Sequence, residues 1–264
     1  MMNDAVLVHD EGHVRTLIMN RAKSRNALNM EMGDALMEAV HLAQHDSLVR
    51  CLRIKGDQTF MAGGDIRYFA EHLDRPAHEW QVRIESLIGK AHGVVTAIRT
   101  MDKPVVASIE GAAAGFGLSL LMACDFAVAS EDALFTLAYV NIGTSPDGGS
   151  TFALPRHVGA KRAAEIAMLG DRFGAEEALQ WGLLNKHVPQ AMLDEESMAL
   201  ATRLASLPTK ALGRTKALLR QSLYTSLEAQ LRAELEMFGR SSLEDDFREG
   251  VGAFLEKRKP NFKG

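Results

Sequence analysis

Lys103-Pro104-Val105-Val106-Ala107-Ser108-Ile109-Glu110-Gly111-Ala112-Ala113-Ala114-Gly115-Phe116-Gly117-Leu118-Ser119-Leu120-Leu121-Met122-Ala123-Cys124-Asp125-Phe126-Ala127-Val128-Ala129 is the stretch that sets the architecture. Pro104 to Ile109 is an unbroken apolar run, partly β-branched, as a strand buried on both faces requires. Gly111 to Gly117 is a glycine- and alanine-rich turn, Leu118 to Ala123 continues as an apolar helix, and Phe126 to Ala129 is the next strand.

The same alternation extends toward the N-terminus. Val6 to His9 and Val14 to Met19 form a hairpin around Asp10-Glu11-Gly12-His13. Asn29 caps a helix whose apolar residues Met32, Leu36, Ala39, Val40 and Ala43 follow helical spacing. Cys51 to Ile54 is a strand ending in the loop Lys55-Gly56-Asp57-Gln58, and Asp65 begins a polar region leading into a long helix that ends near Arg99. Strand and helix in alternation predict an α/β fold with a parallel sheet. From about Gly149 onward the pattern is almost entirely helical. Candidate helices cover Lys161 to Leu169, Ala175 to Gln180, Met192 to Ser206, Pro208 to Leu223, Leu227 to Phe238 and Ser242 to Glu256. The expected division is a core over residues 1–195 and a helical region over 196–264. No repeat or interdomain linker interrupts it.

Composition narrows the class of partner. Of the 264 residues 47% are hydrophobic and 24% charged, enough for a sizeable core, and the net charge of −4 is spread along the chain. That balance argues against a nucleic acid or a membrane surface as the main partner. Cys51 and Cys124 sit in apolar surroundings, with no Cys/His cluster at metal-ligand spacing, and read as reduced core thiols. Met1 to Asn20 lacks the basic and apolar regions of a signal peptide, and Gly111 to Cys124 is too short to span a bilayer. The expectation is a cytoplasmic protein with no bound metal.

Three segments carry candidate chemistry. Phe60-Met61-Ala62-Gly63-Gly64-Asp65-Ile66 and Gly111 to Gly117 each lie where a strand hands over to a helix. Unpaired N–H groups at a helix start point outward, so two such turns can converge on one oxygen and stabilise an enolate formed from a thioester. The competing reading is a pair of ordinary tight turns. Neither turn matches a phosphate-binding loop or a dinucleotide fingerprint. The third segment is Pro146-Asp147-Gly148-Gly149. It makes a common turn, or it sets Asp147 at the mouth of a pocket lined by Phe135, Leu137, Tyr139 and Ile142, where partial desolvation would raise its basicity.

In this order the segments resemble the crotonase, or enoyl-CoA hydratase/isomerase, superfamily. The resemblance begins with Asn20-Arg21 and Asn26-Ala27-Leu28-Asn29. It continues through Phe60-x-Ala62-Gly63-x-Asp65-Ile66, Lys103-Pro104-Val105, Gly111-x-Ala113-x-Gly115, Cys124-Asp125, Ile142-Gly143 and Pro146-Asp147-Gly148-Gly149. Leu154-Pro155-Arg156, Ala178-x-x-Trp181-Gly182-Leu183 and the run Phe247 to Arg258 complete it, over essentially the whole chain. The resemblance implies a spiral of ββα turns and a C-terminal helical region used for trimerisation. It also implies an acyl-CoA substrate, a homotrimer or homohexamer, and no cofactor beyond the coenzyme A of that substrate.

The site residues follow from the same resemblance. The oxyanion hole falls on the N–H groups of Gly64 and Phe116, the latter where many relatives have glycine. The substrate pocket falls on Ala62, Asp65, Ile66, Ser119 and Tyr139. Arg25, Ala27 and Lys257 are the coenzyme A contacts. Hydratases of the family use two glutamates, and their positions here hold Ser119 and Tyr139, neither an acid–base group near neutral pH. Asp147 stands where some isomerases and lyases carry their acidic residue, and its surroundings look most like the branch of epoxyphenylacetyl-CoA isomerase and enoyl-CoA isomerases. The sequence therefore predicts an isomerase with Asp147 as its base. A hydratase, a ring-closing synthase and a non-catalytic acyl-CoA-binding homologue are the alternatives. Tyr139 is either a wall of the pocket or a hydroxyl that orients substrate.

Overall fold

The computed structural model describes residues 4–264, so Met1 to Asn3 of the segment read for a leader lie outside the described residues. The chain begins as the predicted hairpin, β1 (Val6–Glu11) against β2 (Val14–Met19), paired antiparallel. Then α1 (Met30–His45) starts under its cap, the Asn29 side chain accepting from the Met32 N–H at 3.0 Å. Strand β3 (Cys51–Gly56) leads to the short α2 (Ile66–Ala70) and the long α3 (Ala77–Thr100). Next come β4 (Val105–Ile109), β5 (Ala112–Ala114), α4 (Phe116–Ala123), β6 (Phe126–Ser130) and β7 (Leu134–Thr136). Helix α5 (Ser150–Leu169) is broken at Gly159. It is followed by β8 (Phe173–Gly174), α6 (Ala175–Gln180) and β9 (Lys186–Val188). Helices α7 (Leu193–Ala205), α8 (Thr209–Ser222), α9 (Leu227–Ser241) and α10 (Asp245–Leu255) finish the chain.

Two sheets are built in parallel by successive turns of the chain. The larger has the order β1-β2-β3-β4-β6-β9, parallel from β2 onward. The smaller runs β5-β7-β8, and single bridges from Met61 to Ala113 and from Leu28 to Gly64 carry it outward. The chain after β3 therefore visits the smaller layer at Met61 before entering α2, and β4 does so through β5 before entering α4. This strand–strand–helix repetition is the expected spiral. It brings the starts of α2 and α4 side by side.

Three expectations change. The stretch Gly111 to Gly117 contains a strand, because Ala112–Ala114 pair with Leu134–Thr136 in the second layer, and α4 starts two residues before Leu118. Past Gly149 the chain is not wholly helical, since β8 and β9 are two- and three-residue strands too short for a periodicity to register. The division at 195/196 cuts α7, whose Ala201, Leu204 and Ala205 pack with Val14, Cys51 and Val106 of the sheet. Burial of that face binds α7 to the core, and the outlying helical layer begins with α8. Among the described residues no helix is long and apolar enough to cross a membrane.

Asn26 is the pin of the first turn. It is fully buried, accepts from the Arg21 N–H at 2.7 Å, and donates to the carbonyls of Asp57 and Thr59 at 3.1 and 2.6 Å. Asn26→Ala strands those groups away from water and is expected to lower stability by about 3 kcal/mol, read by urea denaturation. An unchanged midpoint would show that water replaces the amide without loss.

Candidate active site

The first glycine turn is held from both sides. Met61 donates to the Ala112 carbonyl and accepts from the Ala114 N–H, each at 2.9 Å. Leu28 donates to the Gly63 carbonyl at 2.7 Å and accepts from the Asp65 N–H at 2.9 Å, so the pairing uses the groups flanking Gly64 and leaves the Gly64 N–H without an acceptor among the described residues. In the second turn Gly115 donates to Thr136 at 3.0 Å, and its carbonyl receives Leu118 and Ser119 in the first turn of α4. Phe116 is the first residue of that helix, where the N–H has no intrahelical acceptor. The two turns touch through bare backbone: a methyl group on Gly115 would lie 3.4 Å from the Gly63 α-carbon. Two open N–H groups thus sit on adjoining turns. The Phe116 side chain is buried and forms a floor under Gly148.

Asp147 precedes Gly148 in the chain. Its carbonyl receives the Ser119 hydroxyl at 3.1 Å, the Ser150 hydroxyl at 2.8 Å and the Ser150 N–H at 3.1 Å. The Tyr139 hydroxyl donates to its Oδ1. Burial raises the Asp147 carboxyl above the usual carboxylate range, against the opposing effects of the tyrosine hydrogen bond and the charge of His92. Burial and the neighbouring carboxylate push the Tyr139 phenol up in turn. The Tyr139 ring runs beside Gly115, so it spans the gap from the second turn to the carboxylate.

Other predicted residues take different places. Phe135 and Leu137 are fully buried in the core, Phe135 stacked on Phe173 with centroids 5.5 Å apart, and Ile142 is about half exposed. The groups that bond to or act on Asp147 are Tyr139, Ser119 of α4 and His92 of α3, with Phe116 against the neighbouring Gly148. Asp65 caps α2, accepting from Arg67 and Tyr68, and pairs with Arg21 at 3.1 Å. Its carboxylate is thereby engaged in structure. Ala62 donates to the Arg25 carbonyl at 3.0 Å, and Ile66 is exposed at the start of α2. Arg25 is exposed in the left-handed region, its guanidinium without a partner among the described residues, while Ala27 is buried and accepts from Arg21 at 2.7 Å. Lys257 is exposed just past α10.

Sequence reasoning passed over His92 and Phe69. His92 of α3 acts on Asp147 through its charge, and no local pattern marks it. The Phe69 ring lies against Gly64, so close that a methyl group there would be 2.7 Å from its Cζ. Phe69 belongs to a cluster with Tyr68, His72 and Trp80, whose ring centroids lie 4.7 to 6.2 Å apart. Among the described residues no group of three or more His, Cys, Asp or Glu side chains is placed to hold a metal ion.

Comparison with known proteins gives a consistent result. The family model described as enoyl-CoA hydratase/isomerase matches residues 10–264. The chain is 34% identical over 267 residues to the 1,2-epoxyphenylacetyl-CoA isomerase of Escherichia coli (strain K12), covering 100% of both. It is 34% identical over 264 residues to the crotonyl-CoA hydratase of Syntrophomonas wolfei, covering 99% of each. The crystal structure of an enoyl-CoA hydratase from Polaromonas sp. JS666 superposes with a TM-score of 0.92 at 33% identity, over 98% of this chain and 99% of that one.

Proposed function

Because the chain belongs to the enoyl-CoA hydratase/isomerase family, we propose that it is an acyl-CoA isomerase with Asp147 as its single base. The reaction shifts a double bond, or rearranges a ring-type acyl-CoA, through an enolate held by the N–H groups of Gly64 and Phe116. The observation that carries this is the lone carboxylate beside the paired turns. Asp65 is committed to α2 and Arg21, and Asp147 has no second carboxylate among its partners.

With a 3-enoyl thioester, the Asp147 carboxylate takes a proton from C2, and the C–H electron pair flows into a dienolate whose oxygen rests between the two N–H groups. The same carboxyl returns the proton to C4, the double bond settles between C2 and C3, and the base is regenerated. One base completes this cycle, whereas adding water asks for a second acid–base group. No cofactor enters beyond the coenzyme A of the substrate. The free Arg25 guanidinium suits a coenzyme A phosphate, with Ala27 beside it and Lys257 as a further cation. Ala62, Ile66, Ser119 and Tyr139 line the acyl side, and the aromatic cluster over Gly64 favours a flat or ring-bearing acyl group. The exposed row Leu227, Leu231, Leu235 and Phe238 on α9 supports assembly as a homotrimer or homohexamer, which sedimentation would reveal.

The test is incubation with 3-enoyl-CoA and 2-enoyl-CoA in deuterated water, followed by mass spectrometry. Double-bond migration in the first without net addition of water to the second is the expected result. Hydration of the second would make the protein a hydratase, and binding without turnover across a broad acyl panel would make it a non-catalytic homologue.

A further inference from the structure

The hydrogen bonds at Asp147 divide into two sets. Ser119 and Ser150 hold its main-chain carbonyl, and Gly148 beside it rests on Phe116 and Ser119 with no space for a side chain. The α-carbon is thereby fixed, and only the two side-chain torsions remain free. Tyr139 removes that freedom. Its ring is buried beside Gly115, its N–H is tied to the Leu137 carbonyl at 2.6 Å, and its hydroxyl donates to Oδ1. The expected roles of pocket wall or substrate-orienting hydroxyl leave out this contact: the hydroxyl is spent on the carboxylate.

We propose that Tyr139 is a positioning residue that makes Asp147 a one-oxygen base, with Oδ1 held by the phenol and Oδ2 alone exchanging a proton with the acyl chain. The inference rests on the isomerase reading above. One oxygen at a fixed site collects and returns the proton on a single face of the dienolate. The phenol keeps its own proton throughout, since burial and the adjacent carboxylate both oppose its ionisation. The charged and titratable groups facing Asp147 are Tyr139 and His92 of α3, and α4 adds only the uncharged Ser119. Removing the phenol's proton donor therefore alters one influence and leaves the others in place.

The experiment titrates the carboxyl carbon of Asp147 by NMR in protein carrying carbon-13 aspartate, the signal being assigned by its loss in Asp147→Asn. In Tyr139→Phe the carboxylate loses its donor and should titrate about one pH unit higher, and the acid limb of kcat should move with it. A phenylalanine that left the titration unchanged would overturn the proposal and leave Tyr139 as pocket lining alone. The second measurement keeps the shape of the ring: replacing the protein's three tyrosines by 3-fluorotyrosine makes the hydroxyl a stronger donor. Asp147 should then titrate lower, and an unmoved signal would again overturn the proposal. Both titrations proceed without turnover, so a protein inactive on every enoyl-CoA would sink the isomerase reading while the tyrosine contact was still decided.

Discussion

If Asp147 is the base proposed above, Asp147→Asn should lower kcat/KM for isomerisation by about 10³-fold, within the range expected for loss of a general base. The fold survives, because the three hydrogen bonds to the main-chain carbonyl of residue 147 do not involve the carboxyl, and an asparagine oxygen can still accept from Tyr139. The stability change has a definite sign. The Asp147 carboxyl titrates above its unfolded value, so its contribution to stability is fully present below about pH 4 and is lost as the pH rises through the raised folded value. Asparagine escapes that loss. Thermal melts should show the variant level with the wild type in acid and equal or higher in Tm at neutral pH. The wild-type rate should fall on acidification above the usual carboxylate range, because the base acts only when ionised. A variant that folds and keeps full activity would remove Asp147 from the mechanism.

How far the site was legible depended on whether its parts are local. The two glycine turns could be found because each is a contiguous run of small residues at a strand–helix junction, and the strand of the second layer hidden in Ala112–Ala114 does not disturb that reading. Asn29 was legible for the same reason: a cap and its helix lie within one turn. Asp65 shows the limit of such inference, since its place in a motif suggested a pocket while its contacts make it a helix cap paired to Arg21. Phe135 and Leu137 were read as pocket lining by closeness in sequence, and both are fully buried. The groups that act on Asp147 are Ser119 and Tyr139 by hydrogen bonds and His92 by its charge, which the spiral assembles from three separate elements. Ser119 and Tyr139 were noticed because neither is a glutamate. Where their hydroxyls point is a property of the packed chain, and both point to Asp147.

Gly117→Ala should damage the site most among substitutions that leave every functional group in place. The added methyl would lie 2.3 Å from the Met61 carbonyl oxygen and 3.1 Å from its carbon. That oxygen already accepts from Ala114, and the Met61 N–H is bound to Ala112, so the first turn is fastened on both sides and cannot step back alone. Relief requires α4 to move off the Met61 turn, which separates the N–H of Phe116 from that of Gly64. The clash is with backbone and not with the end of a flexible side chain, so the loss of stability should reach about 3 kcal/mol, the upper part of the range for overpacking. Misplacing one oxyanion donor should lower kcat by about 100-fold or more, with a smaller change in KM, because the enolate feels the displacement more than the bound thioester. Gly89→Ala on α3 is the control: a methyl there meets nothing within 4 Å, and replacing a mid-helix glycine should stabilise by about 0.5–1 kcal/mol. If Gly117→Ala matched that control in Tm and kcat, the close contact between α4 and Met61 would not be what holds the two donors together.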